Sequence, residues 1–348
     1  MSRWMAPVRW WNGYVDFWRE REAPDAYAVA RITWGLAVAG NIVHQMLFPG
    51  VVTLYALPEH GGTFGWNGPP FYSLFQFFDP TAEAVTALAI ANLVFALMLT
   101  AGAATRLSAL ALMAIHITLV GRLSLYGFGG DIVVRVFSFL MVLAPLGASW
   151  SVDAWLLGGR RFVPVWPRRL VIAQLTFLYV KTGIVKLGSQ WSFSGGHSAV
   201  YYALNDPSFA RVDGSWLAWV FPLTQIGTFV TRWWETLFFL LPWSMYLRRP
   251  KDRPGLLRKT LGRFDLRLPM LGVGAILHLT LFATMDLGMF PWVTMALYAF
   301  FLKPSEARWL LTRVLPERLR FVSDEVAAPE AAPVDAPADP VPDAPEPA

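Results

Sequence analysis

Apolar residues in this chain come in blocks of membrane-crossing length, and that property rules out most folds. A helix needs about 20 predominantly apolar residues to traverse a hydrocarbon core of about 30 Å. Eight such runs, separated by turn residues, predict helices over roughly 27–48, 83–103, 106–125, 132–148, 170–187, 223–246, 269–287 and 291–302. The last rises only about 18 Å as a helix, so it is expected to lean on its neighbours or to continue past Lys303. Only 15% of the residues are charged, against about 25% in soluble domains. The fold class predicted is all-α: a polytopic membrane helix bundle of about eight transmembrane helices. The opening "MSRWMAPVRWWNGYVDFWRE" lacks the apolar core and small-residue cleavage site of a signal peptide, so no cleavage is expected. With no cysteine, disulfides, thiol redox centres and thiolate metal sites are excluded.

Lysine and arginine counts set the orientation. Arg3, Arg9, Arg19 and Arg21 precede the first run; loop 49–82 has no basic residue; loop 149–169 has Arg160, Arg161, Arg168 and Arg169. Loop 188–222 has only Arg211, whereas loop 247–268 has eight basic residues and Lys303, Arg308, Arg313, Arg318 and Arg320 follow the last run. This alternation predicts both termini in the cytoplasm and a multi-pass protein of a bacterial cytoplasmic (inner) membrane. The basic excess therefore meets a lipid surface, the bilayer being the first expected partner, and nucleic acid is not expected.

Three regions follow: residues 1–26, a cytoplasmic interfacial amphipathic segment; 27–320, the transmembrane domain; and 321–348, a disordered tail. In the first, Trp10, Tyr14, Phe17 and Trp18 fall on one helical face with Arg9, Arg19 and Arg21 around it. "EARWLLTRVLPERLRF" after the last run predicts a second surface helix. The segment "DEVAAPEAAPVDAPADPVPDAPEPA" has seven acidic and no basic residues, leaving +12 on residues 1–323. Its Pro/Ala-rich composition cannot bury enough apolar surface to fold, and no large extracytoplasmic domain is expected after the last run.

Polar residues inside apolar runs are expensive and mark sites by default. The fifth run ends in "VKTGIVKLGSQW". Lys186 lies near its extracytoplasmic end and either snorkels to headgroups or does chemistry. Lys181, about 140° around the helix from it, is deeper and is read as an ion-pair strut to Glu235 or an electrostatic neighbour of Lys186. Lys186 shares a stripe with Tyr179 and Thr182. His116, Glu235, His278 and Asn92 fall near the middle of their helices; His44, Gln45, Arg122, Asp131, Arg135 and Asp286 lie towards the outer side. A polar cavity in the outer half would gather most of them. Against this stand bland roles: interhelical hydrogen bonding for His116 and His278, helix glue for Asn92 and Gln174, and a structural pair for Asp131 with Arg135. No metal-ligand spacing, nucleophile elbow, P-loop or inverted repeat is present.

Four stretches, in order, resemble the HTTM group, the membrane domain shared with vitamin K-dependent γ-glutamyl carboxylase. They are "GGDIVVRVFSFLMVLAPLGASWSVDAW", "RRFVPVWPRRLVIAQLTFLYVKTGIVKLGSQW", "SGGHSAVYYAL" and "ILHLTLFATMDLGMFPWVTMALYAFF". The resemblance covers roughly residues 28–320 and implies that Lys186 matches the carboxylase base. In that family the lysine deprotonates vitamin K hydroquinone, and quinol oxidation to the epoxide drives carboxylation of a glutamyl side chain. It further implies a cofactor-binding role for His278, which matches the family's helix histidine, and for Glu235, where the family often has an acidic residue. A vitamin K-type hydroquinone as cofactor with no metal, and a secreted or membrane-tethered glutamate-containing peptide as partner, are implied with them. His116, Lys181, Trp191 and Tyr201 complete the candidate cofactor-binding set. Departures are Val185, where the animal enzymes carry another lysine, and Lys181 in place of an apolar residue. Two other readings stay open: a non-catalytic factor for maturation or export of a secreted peptide, and a proton-coupled transporter using His116, Glu235 and His278.

Overall fold

A computed structural model describes residues 14–47, 52–63, 73–122, 129–248 and 262–321, with Trp11 and Leu256. Trp10, most of loop 247–268 and the tail from residue 322 lie outside them, so the readings of those segments do too.

Each of the eight apolar runs is helical at its centre. They form α1 (Asp25–Leu47), α2 (Ala82–Ala101), α3 (Thr105–Arg122) and α4 (Gly129–Leu143), with a short α5 (Val152–Leu157) following. Then come α6 (Trp166–Ile184), a short α7 (Ala199–Leu204), α8 (Phe221–Thr236), α9 (Leu240–Leu247), α10 (Arg267–Thr284), α11 (Phe290–Ala296), a 3₁₀ stretch Leu297–Phe301, and α12 (Pro304–Val314). Three of them, α1, α2 and α10, are long and apolar enough to cross a membrane, and Phe290–Phe301 is a shorter apolar helix.

The helices face outward in the manner of a membrane protein. Ile90, Val94 and Leu97 on α2 and Leu268, Ile276 and Leu279 on α10 are exposed, where a soluble helix would carry charge. The core lies between α1, α4, α6, α8 and the 290–301 segment, built on Trp34, Phe137, Leu175, Phe238, Phe300 and Phe301.

Two predicted runs are cut by proline. The sixth divides into α8 and α9 because the Pro242 ring would meet the carbonyl of Phe238 and has no N–H to give it. The break is bridged by tight turns, Leu240 N–H to Leu237 O at 2.9 Å and Leu241 N–H to Phe238 O at 3.0 Å. The fourth run stops at Leu143, two residues before Pro145, rather than at 148.

The "WSVD" turn is an architectural joint. Trp150 adopts a left-handed φ of 52° and its indole donates to Asp25 at 2.9 Å. Ser151 caps α5, and Asp153 accepts from the Ala104 and Thr105 amides at 2.6 and 2.8 Å, holding the start of α3. Buried Arg31 reaches the carbonyls of Leu146 and Trp150 beside it. A two-residue antiparallel pairing, β1 (Arg21–Glu22) with β2 (Val163–Pro164), ties down the N-terminal segment, whose residues 14–19 are helical. Leu311 of α12 forms a small core with Ala28 of α1 and Trp150, so this helix packs on the bundle as well as bordering the surface.

Candidate functional site

The stripe Tyr179–Thr182–Lys186 on α6 faces α8. What lets it do so is Gly183: a Cβ there would lie 2.5 Å from the Thr236 amide nitrogen, so only glycine permits this approach of the two backbones. The crossing brings Lys186 into an ion pair with Glu235 of α8. Lys186 lies two residues beyond the helix end, yet its amine turns back, donating also to the Thr182 carbonyl at 3.3 Å. Its side chain is 18% exposed and that of Glu235 15%. The expected strut from Lys181 to Glu235 is therefore corrected: Lys181, on the other side of α6, is exposed, and Lys186 holds the carboxylate.

Trp191 lies against the pair, with the Lys186 ammonium 5.0 Å from its ring centroid. One face of α8 fixes the segment that carries this tryptophan. Arg232 donates to the Trp191 carbonyl at 2.8 Å, Gln225 donates to the Gly196 carbonyl at 2.7 Å, and Thr228 accepts from the Val200 amide at 3.0 Å. Positions 225, 228, 232 and 235 repeat with helical spacing, so one stripe holds both the overlying segment and the ion pair.

Two turns back along α6, the Tyr179 hydroxyl meets His278 Nε2 at 2.7 Å and the Tyr298 hydroxyl at 3.2 Å. The Thr294 hydroxyl lies 3.4 Å from His278 Nδ1. Gly274, one turn before His278 on α10, leaves the space that the Tyr298 hydroxyl and the Trp234 ring occupy. This is a closed, buried hydrogen-bond cluster, joined to the ion pair through the shared face of α6.

The structure thus brings Lys186, Glu235 and Trp191 together and sets His278 behind them with Tyr179. The other candidates lie elsewhere. His116, from α3, sits 3.3 Å from the Asp131 carbonyl and 3.6 Å from its carboxylate. Asp131 thus lies against His116, and Arg135, one turn further along α4, is exposed. Tyr201 stacks edge-on to Phe221, 5.3 Å between centroids, beside a small core of Leu204, Leu217 and Met285. No contact among the described residues links His116 to Glu235 or His278 as a proton path would need. Arg122 clamps the loop after α1 through the carbonyls of Tyr55, Ala56 and Thr63. Of the polar groups expected to meet in one outer cavity, only His44 and Asp286 line the cavity of about 680 Å³ between α1, α10 and α11, together with Arg211; Lys186, Glu235 and His278 do not line it.

Sequence reading missed Tyr298, Thr294 and the α8 stripe. The signal for the stripe was present as the spacing of Gln225, Thr228, Arg232 and Glu235; Tyr298 and Thr294 gave none. The family model described as the HTTM domain matches residues 20–245. No curated protein and no solved structure matches the chain.

Proposed function

Because the chain belongs to the HTTM-domain family, we propose that it is a carboxylase-related membrane protein in which Lys186 and Glu235 form an acid–base couple acting on a lipid-soluble hydroquinone. The observation that carries this reading is the inward turn of Lys186. An amine past a helix end ordinarily reaches for headgroups; this one is covered by Trp191 and paired with a carboxylate. Its surroundings suit an apolar ring, since Ile184, Val185 and Leu187 beside it are exposed apolar side chains. A quinol bound there would supply the acidic hydroxyl and the reducing electrons.

The chain's own part is proton handling. A lysine acts as base only when its amine is neutral. Passing the ammonium proton from Nζ to the Glu235 carboxylate frees the amine without changing net charge, and a low-polarity site disfavours the separated charges that this step removes. Nζ then accepts a hydroxyl proton while Glu235 holds the first. His278, bonded to Tyr179 one layer behind, would stiffen the α6 face that presents Lys186. In this reading eight crossings place both termini on the cytoplasmic side of a bacterial inner membrane, with Lys186 towards the outer leaflet, and a glutamyl side chain of a secreted or tethered peptide is the acceptor of carboxylation.

The test is hydroquinone-dependent oxygen uptake by the protein in lipid nanodiscs. Lys186→Met is expected to abolish it; unchanged turnover removes the proposal. A second reading, a non-catalytic factor for maturation or export of a secreted peptide, draws on the neutralised pair and on the two large cavities lying away from Lys186. It requires Lys186→Met to leave secretion of that peptide intact.

A further inference from the structure

A cavity of about 750 Å³ lies at the opposite, basic end of α6. That volume is in the range of small-molecule sites, about 300–1,000 Å³. Its floor is apolar: Ile172, Ala173 and Thr176 from α6 face Phe239, Pro242 and Met245 around α9. At one end Phe17 closes over it, with the Arg169 guanidinium 3.8 Å from its ring centroid and the Tyr246 ring 6.0 Å away. Every charged residue lining the cavity is basic: Arg168, Arg169, Arg248, Arg267 and Lys303.

Their carboxylate partners do not line it, and they serve the five cations unequally. Arg267 is matched twice, by Asp265 at 2.7 Å and Glu306 at 2.8 Å. Arg168 has Glu22 at 3.1 Å and the Leu302 carbonyl at 2.7 Å, and Arg169 is paired with Glu20. Arg248 and Lys303 are different. Among the described residues their carboxylates stand beyond hydrogen-bond length, Asp265 at 3.9 Å from Arg248 and 3.7 Å from Lys303, and Glu306 at 3.8 Å from Lys303. Both side chains are substantially exposed, so they can reach an anion at the mouth without breaking a close pair.

We propose that this cavity binds an anionic glycerophospholipid, its phosphate on Arg248 and Lys303 and one acyl chain along the floor between α6 and α9. A neutral or cationic headgroup would leave the basic rim unanswered, and a water-soluble anion would leave the apolar floor unused. Basic pockets between helices at one membrane face recognise acidic lipid headgroups on these grounds. The inference is independent of any chemistry at Lys186.

Native mass spectrometry of the full chain, released from detergent with phosphatidylglycerol or with phosphatidylcholine of the same chains, tests it. Phosphatidylglycerol is expected to remain bound where phosphatidylcholine is lost. One juxtamembrane cation corresponds to about fivefold in affinity, so Arg248→Gln with Lys303→Gln should weaken phosphatidylglycerol at least tenfold. Thr176→Trp, which fills the floor and leaves the rim intact, should displace the lipid as well. Equal retention of the two lipids, undiminished binding by the double variant, or displacement by inorganic phosphate at matched concentration would overturn the proposal.

Discussion

Splitting the Lys186–Glu235 pair one side at a time tests the central contact of the site. Both side chains are largely covered. Removing one partner of a buried pair costs about 3–5 kcal/mol because the other charge is stranded, whereas replacing both by apolar groups of similar volume is often neutral. Residual exposure puts this pair below that range, so Lys186→Met and Glu235→Met are each expected to cost about 2–3 kcal/mol. The double variant should fall short of the sum by about 2 kcal/mol. Lys181→Met, on an exposed position of the same helix, should stay within about 0.5 kcal/mol of the parent. The assay is reversible unfolding in mixed micelles by titration with a denaturing detergent, followed by tryptophan fluorescence, with each variant's oxygen uptake measured alongside. Two results would refute the reasoning: additivity of the two single substitutions to within about 0.5 kcal/mol, or a loss at Lys181 equal to that at Lys186.

Gly183→Ala should force α6 and α8 apart at Thr236, costing about 1–3 kcal/mol of stability and lowering activity in parallel, read by the same two measurements; an unchanged parent-like melt contradicts the close crossing. Acid should expose the cluster at the start of α10. Hydrogen bonds from the Arg267 side chain, opposed by burial, bring Asp265 from 3.8 down to about 2. Because the folded value is the lower one, its stabilisation is complete above about pH 4 and is lost as pH falls towards about 2. Discounted for contact with solvent it amounts to about 1 kcal/mol, and Asp265→Asn should flatten that part of a stability-against-pH curve.

Apolar runs located the helices because a lipid phase asks for continuous apolar length, and each run has its helix. Boundaries slipped where a local rule competes: Pro242 acts on the carbonyl four residues earlier, so the break at Leu237–Phe239 precedes the residue that causes it. The stripe of Tyr179, Thr182 and Lys186 was legible from spacing alone, yet its partners were not. Glu235 is 49 positions from Lys186, and His278 and Tyr298 are 99 and 119 from Tyr179. Those contacts depend on how close two helices come, which Gly183 and Gly274 decide, and a glycine in an apolar run carries no sign of what it makes room for. The "WSVD" stretch shows the converse. Resemblance marked it, and the structure gives it capping and joining work at the far end of the bundle from Lys186.

On the proposed reading, the end of α6 makes the couple, rather than the lysine alone, the unit that would handle the proton. A helix leaves its last carbonyls without partners. Here the carbonyl of Lys181 takes the Val185 amide at 3.1 Å, that of Gly183 takes the Lys186 amide at 3.4 Å, and that of Thr182 takes the Lys186 amine. The amine thus completes the cap of its own helix, at the end where the backbone dipole favours a cation. Carbonyl, dipole, carboxylate and tryptophan face all surround Nζ. A neutral amine at this place needs a group within hydrogen-bond reach that takes the proton and keeps it, and among the described residues Glu235 is the carboxylate in that position. Any base chemistry at Lys186 therefore requires Glu235, and a variant that keeps the lysine but loses the carboxylate should be as inactive as one that loses the lysine.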